Sequence, residues 1–300
     1  MDNNISIQNC QICGNNQFSQ HISCIDYTVS RETFKIVKCN SCGFVFTNPR
    51  PNENEIGKYY SSDLYISHSA TKKGLINALY HIIRKRTLKS KLNLLNSLKT
   101  PTKELLDIGT GTADFLNYMV QNAYSGIGIE PDNSTREMAT KKYGLKILEA
   151  VNFYQLQAMT YDYVTMWHVL EHVSDLEGYA TNIKRILKDD GYLIIAVPNH
   201  ESVDGKHYKE KWAAYDVPRH LSHFSVGTME KYLSKHGFKI VQKRPMPYDG
   251  FYVSMLSEKN AYKNGAIGIL KGFYWGLLTL FQGYINIKNY SSIIYIAQKE

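Results

Sequence analysis

The sequence predicts an α/β fold, a doubly wound and mostly parallel sheet with helices on both faces, preceded by a small cysteine-bearing unit. Three observations carry this. Two Cys-x-x-Cys pairs fall early in the chain, strand-like and helix-like runs alternate from residue 104 onward, and a Gly-x-Gly turn follows the first of those strands.

With 300 residues the chain has room for one full α/β domain and a small accessory unit. Hydrophobic residues at 43% and charged residues at 21% describe a globular chain and exclude a disordered or fibrous one. A formal net charge of +8 favours anionic partners without separating nucleic acid, sugar nucleotide and membrane surface. The opening MDNNISIQNC has neither the basic nor the apolar stretch of a secretory signal. Four of the five cysteines are paired in a way that suits metal in a reducing compartment better than disulfides. The expected location is the cytoplasm.

Residues 1–65 form the expected metal-binding unit. Cys10-Gln-Ile-Cys13-Gly and Cys39-Asn-Ser-Cys42-Gly are two knuckles, each followed by the glycine such a turn needs. Four thiolates at this spacing suit a closed tetrahedral site, hence a structural Zn²⁺. β-type runs at 33–38 and 44–46 accompany them, and Asn48-Pro-Arg-Pro-Asn52 closes the unit with turn chemistry. So small a unit buries little apolar surface, so metal binding contributes much of its folding energy. Cys24 lies outside both pairs and is expected to be an idle or buried thiol.

A basic helical connector is expected over 66–100. Leu75, Ile76, Leu79, Ile82, Ile83, Leu88, Leu92 and Leu95 recur at near-helical spacing, and Pro101 stops the helix. Residues 101–300 then form the α/β domain. Its expected strands are 104–108, 126–130, 163–167, 192–197, 238–243 and 292–297, and its expected helices are 113–122, 134–143, 176–187 and 227–236.

The run Leu105-Leu-Asp-Ile-Gly-Thr-Gly-Thr-Ala113 carries the strand into a helix through Gly109 and Gly111. Such glycines let backbone approach a ligand, and the helix start offers free N–H groups. Glu130 ends the second strand, 23 residues after Asp107, where an acid can accept hydrogen bonds from ribose hydroxyls. Diphosphate binding would want Gly-x-Gly-x-x-Gly, whereas this loop reads Gly109-Thr-Gly-Thr-Ala-Asp114. An acid before the first glycine suits a cationic ligand.

Asp107-Ile-Gly-Thr-Gly-Thr-Ala113, Glu130, the run Tyr161-Asp-Tyr-Val-Thr-Met-Trp-His-Val-Leu-Glu-His172 and Leu187-Lys-Asp-Asp-Gly-Tyr-Leu-Ile-Ile195 resemble the successive motifs of class I methyltransferases over residues ~100 to 245. The resemblance implies a Rossmann-like, seven-stranded sheet whose last strand is antiparallel, and S-adenosyl-L-methionine as cofactor. It places Asp107, Gly109, Thr110 and Gly111 along the methionine end and Glu130 on the ribose. Trp167 and His168 are further cofactor-binding candidates, and Asn152 is a candidate for the adenine contact.

His168 sits at the C-terminal end of an expected parallel strand, the edge where such sheets bind ligands. His172 is expected to cap the next helix or to hydrogen-bond structurally. Asp216, Arg219, His220 and His223 crowd the loop Tyr215-Asp-Val-Pro-Arg-His-Leu-Ser-His-Phe-Ser225 on the expected substrate side. A histidine there can take a proton near neutral pH. The loop resembles that of zinc-containing sugar C-methyltransferases, which aligns His220 with their catalytic histidine. Arg219 and Val217 stand where those enzymes carry an acid and a tyrosine, which shifts the expectation to O-methylation. The expected catalytic residues are therefore His220, His223 and His168. The expected acceptor is a small molecule or glycan such as a sugar nucleotide or lipid-linked sugar.

Two other readings compete. A zinc-containing RNA methyltransferase is favoured by nine Lys or Arg and no acid between Leu64 and Lys103, and opposed by Met166-Trp-His-Val where amino-directed nucleic-acid enzymes carry Asn-Pro-Pro-Tyr or Asp-Pro-Pro-Tyr. A non-catalytic, zinc-stabilised interaction protein would keep only the cofactor pocket. Within an insertion at about 246–290, residues 265–285 hold one charge, Lys271, and are long enough to span a membrane. The flanking strands belong to one sheet, so a span is not expected. Glycines in the run make a continuous helix less secure. The expectation is apolar helix packed over the substrate pocket or in a homodimer interface, with peripheral membrane contact as a further use. As a lid it would suit an acceptor with an apolar portion and exclude water.

Overall fold

The computed structural model describes residues 4–60, 75–262 and 265–300. The boundary expected at 65 and the start of the basic connector lie outside the described residues. In the N-terminal unit β1 (Asn4–Ile5) pairs with β5 (Arg50–Pro51). Between them β2 (Phe18–Ile25), β3 (Thr33–Cys39) and β4 (Val45–Thr47) pair antiparallel. Along β3, Phe34, Ile36 and Cys39 turn inward while Thr33, Lys35 and Lys38 face out, the alternation of a half-buried strand.

Helix α1 (Leu75–Ser97) leads into the α/β domain and buries Leu92 and Leu95 against its core. There follow β6 (Glu104–Ile108), α2 (Asp114–Val120), β7 (Ser125–Ile129), α3 (Asn133–Tyr143), β8 (Ile147–Leu148), β9 (Tyr161–Trp167), α4 (Leu176–Ile186), β10 (Leu187–Pro198) and α5 (Val203–Tyr208). The chain continues through β11 (Ser222–His223), α6 (Val226–Lys235), β12 (Phe238–Pro245), α7 (Asp249–Tyr262), α8 (Gly265–Ile285) and β13 (Ser292–Lys299). The sheet order is β12-β13-β10-β9-β6-β7-β8, with β13 antiparallel to both neighbours and the other pairs parallel. This is the expected seven-stranded Rossmann-like sheet. Leu193 to Val197 of β10 are buried throughout, because a central parallel strand is covered on both faces. Helix starts are capped: Asp132, Asp175 and Ser225 accept from backbone N–H groups of α3, α4 and α6.

The insertion departs from expectation in one respect. Residues 265–285 make a continuous helix, α8, which folds back on α7 as an antiparallel hairpin. Gly268, Gly272 and Gly276 recur every four residues and face α7. A Cβ at Gly272 would fall 2.6 Å from Met255 Cα, and one at Gly276 would fall 2.8 Å from Phe251 Cα. The glycines thus permit the close approach that offsets their cost of about 1 kcal/mol each in helix propensity. Trp275 stacks on His207 of α5 at 3.5 Å, while Leu270, Phe273, Phe281, Tyr284 and Ile285 remain exposed. Among the described residues no helix is long and apolar enough to cross a membrane.

The N-terminal strands join the rest of the chain through β11. Ser222 pairs with Phe46 and His223 with Val45, so the loop after β10 extends the sheet of the cysteine unit. Phe44 and Phe46 share one apolar core with Phe224 and Tyr232. Arg219 is fully buried between Asp26 (2.9 Å) and Asp216 (2.7 Å), and also donates to the Tyr59 carbonyl. Removing one partner of a buried pair leaves an uncompensated charge, at a cost of about 3–5 kcal/mol. Arg219→Ala should therefore destabilise the protein by roughly that amount in chemical denaturation. A loss below about 1 kcal/mol, the scale of an exposed pair, would show that the contact does not join the two parts.

Candidate active site and metal centre

Asp107 ends β6 and is buried, its Oδ1 accepting from Thr165 Oγ1 of β9 at 2.6 Å. Burial pushes its carboxyl up to about 6, against the opposing pull of Thr165 and Lys91. Gly109 (φ +69°) and Gly111 (φ +53°) then turn the chain toward α2. A Cβ at Gly109 would fall 2.4 Å from Val169 Cγ2, so the β6 and β9 loops meet there and only glycine fits. At Gly111 a Cβ would meet nothing within 4 Å, so open space lies beside the loop. The Gly111 and Asp132 N–H groups donate to Glu130 at 2.8 and 3.0 Å, fixing a carboxylate that burial nevertheless raises. Thr110 is buried and would touch a Cβ on Gly128. Asn152 instead accepts from the Glu149 N–H at 3.2 Å within a local cap.

Sequence reasoning missed Lys91. It lies on the inward stripe of α1 with Leu88, Leu92 and Leu95, and its ammonium sits 3.8 Å above the Trp167 ring. Burial lowers Lys91 to about 8, with Asp107 and Asp249 opposing. A lysine at an apolar stripe position was the available signal. Trp167 also packs edge-on to Phe115, and its buried Nε1 has no hydrogen-bond partner among the described residues.

His168 turns the chain after β9 with φ +56°. Its Nε2 is 2.9 Å from Asp249 at the start of α7, and its Nδ1 is 3.4 Å from Glu171. Burial would lower its pKa, but the two carboxylates outweigh that and push it up to about 10. A doubly paired imidazolium has no lone pair to offer, so this arrangement makes His168 a cation rather than a base.

His172 makes the structural hydrogen bonds expected as one of its two roles, its Nδ1 lying 3.0 Å from the Arg219 carbonyl and 3.0 Å from the Tyr60 hydroxyl. One ligand atom from each of Glu171, His172 and His220 falls within 4.8 Å of the others. His172 and His220 meet edge to face at 4.6 Å. His220 is held by its Nδ1, 2.8 Å from the Ala214 carbonyl, which leaves Nε2 free, 4.0 Å from Asp216. His223 lies outside this group; its Nε2 is 3.1 Å from Thr47 Oγ1 across the β4–β11 pair. Glu171 was not anticipated, since an acid at the end of a strand run carries no periodic signal.

The four knuckle cysteines converge. The Sγ pairs Cys10–Cys42 and Cys13–Cys39 are each 3.5 Å apart, and all four sulfurs lie within 4.8 Å of one another. A tetrahedron with Zn–S bonds of about 2.3 Å needs sulfurs about 3.8 Å apart. The Gly14 and Gly43 N–H groups close the two knuckles onto the Cys10 and Cys39 carbonyls, both glycines at positive φ. Cys24 is buried elsewhere, and burial pushes its thiol up to about 12.

A family model for a methyltransferase domain matches residues 80–243. Solved structures share the fold at low identity. Phosphoethanolamine N-methyltransferase 2 of Haemonchus contortus is 17% identical with a TM-score of 0.50, over 71% of this chain and 53% of that one, so this chain spans about half its length. A putative sarcosine dimethylglycine methyltransferase from Galdieria sulphuraria is 13% identical with a TM-score of 0.49, over 73% and 86%. An S-adenosylmethionine-dependent methyltransferase from Archaeoglobus fulgidus is 15% identical with a TM-score of 0.49, over 75% and 100%. No curated protein matches the chain. The family model covers more than half of the sequence, and the chain belongs to the methyltransferase domain family.

Proposed function

We propose that the chain transfers a methyl group from S-adenosylmethionine to a hydroxyl of a small-molecule or glycan acceptor, which loses its proton through His220. The observation that carries this reading is the contact of Gly109 with Val169. It sets the carboxylates at the ends of β6 and β7 beside the loop that bears Glu171 and His172. The cofactor side has the chemistry that S-adenosylmethionine needs. Asp107 is a buried carboxylate with no ion-pair partner within 4.0 Å among the described residues, Glu130 stands ready for ribose, and Gly111 leaves room. Thr110, Trp167 and His168 border the same loops. The cofactor supplies an electrophilic methyl on a sulfonium; the residues bind, orient and take the acceptor proton.

A cavity of about 520 Å³ opens on His172 and is lined by Arg50, Asn52, Asn54, Tyr60 and Ser174 among others. Its volume is of the scale of small-molecule sites, and amide and hydroxyl groups suit a polyhydroxylated acceptor. The RNA reading draws less support. Of the basic stretch, Arg84 is paired with Asp114 and Lys91 points inward over Trp167. Methyl incorporation from labelled cofactor, compared between nucleotide sugars, lipid-linked sugars and ribosomal RNA, tests the acceptor class. With a working acceptor, His220→Ala should lower turnover by roughly 10²–10⁴-fold while cofactor affinity holds. Full turnover in that variant would remove His220 from the reaction.

The cysteine site is proposed to hold one structural zinc through Cys10, Cys13, Cys39 and Cys42. Elemental analysis of protein purified without chelator should find one zinc per chain, lost in Cys39→Ser together with part of the stability. Protein that is folded and zinc-free would contradict the assignment.

A further inference from the structure

The acceptor side gathers buried carboxylates and histidines around Glu171. Ionic contacts run from Asp26 through Arg219 to Asp216 and on to His220, and from Glu171 through His168 to Asp249, with a ligand atom of His220 within 4.8 Å of one of Glu171. Asp26, Asp216, Glu171 and Asp249 are the carboxylates gathered there, with Arg219 and His168 as their nearest partners. Both Glu171 oxygens are buried, and apart from the 3.4 Å ion pair of Oε1 with His168 they accept nothing among the described residues, an unfavourable state for a buried carboxylate.

The two histidines are also oriented. His172 Nδ1 lies 3.0 Å from the Arg219 carbonyl and 3.0 Å from the Tyr60 hydroxyl, and His220 Nδ1 lies 2.8 Å from the Ala214 carbonyl. A carbonyl only accepts, so each Nδ1 bears the proton and each Nε2 keeps its lone pair. Metal-bound histidines are commonly held this way by their far nitrogen. We propose that Glu171, His172 and His220 form a second metal site, distinct from the cysteines, that takes a divalent transition ion such as Mn²⁺, Fe²⁺, Co²⁺ or Zn²⁺. One carboxylate and two imidazoles suit these ions and leave positions open. The cavity that reaches His172 gives the ion and an acceptor a way in.

The site rests on the acceptor-side reading above but replaces direct proton transfer to His220: with an ion bound, His220 is a ligand and the acceptor is deprotonated at the ion. An acceptor hydroxyl bound to the ion becomes more acidic. Its O–H bond breaks, the proton leaves to solvent, and the oxygen pair forms the C–O bond as the methyl–sulfur bond breaks with its electrons passing to sulfur.

The test uses zinc-loaded full-length protein titrated with CoCl₂ in the absence of cofactor, followed by calorimetry and visible absorption. One further equivalent should bind with the weak absorption of nitrogen and oxygen ligands and no thiolate charge transfer. Glu171→Gln, which keeps the side-chain shape, and His172→Ala should each weaken this equivalent by roughly 100-fold or more. His223→Ala should leave it in place. Absence of a second equivalent, or one that survives both substitutions, overturns the site. Methyl transfer through His220 would still stand in that case, shown by lost turnover in His220→Ala and no response to chelator in the parent.

Discussion

A carboxylate buried in a low-dielectric interior is unfavourable unless a cation or several donors meet it, and this chain buries Asp107, Glu130 and Glu171 along one edge of its sheet. Each is met differently. Glu130 receives two backbone N–H groups, which fix its carboxylate. Asp107 receives a threonine hydroxyl, with Lys91 drawn toward it electrostatically, and is left short of positive charge. Glu171 receives only the flank of an imidazolium already shared with Asp249. The sheet thus presents two electron-rich positions about one contact, Gly109 against Val169.

The N-terminal unit matters to this arrangement because it fixes the loop that carries His220. The loop is tied at two points: β11 pairs with β4, and Arg219 bridges Asp216 to Asp26. Thr47 of the same unit accepts or donates at His223 and donates to the His220 carbonyl. The cysteine-bearing strands thereby hold the loop of the larger domain that carries His220.

The large elements were legible because long apolar runs and capping residues speak locally. β6 matched its expected bounds, and α3, α4 and α6 matched to within a residue. β8 was missed because Ile147–Leu148 is too short to show a period. The glycines of α8 misled because their cost is local while their compensation, the approach to Phe251 and Met255, is tertiary. At the site, the Gly-x-Gly loop and the cysteine knuckles declared themselves by spacing. Lys91, Glu171, His172 and Asp249 did not, since they come from three separate segments and meet only when the sheet edge, α1 and the hairpin are assembled.

The central claim, that buried carboxylates await cationic ligands, is tested most directly by calorimetry of S-adenosylmethionine binding near pH 6 in two buffers of different ionisation enthalpy. Burial raises Asp107 to about 6 in the free protein, and pairing with the cofactor's positive charge lowers it again. Binding should therefore release a proton to buffer, and affinity should strengthen as pH rises through 6 and weaken below it. In Asp107→Asn the release should vanish and affinity should fall about tenfold or more, the scale of a charge-assisted hydrogen bond of roughly 1.5–3 kcal/mol. Binding heats that do not depend on buffer, with equal affinity in the Asn variant, would contradict the account.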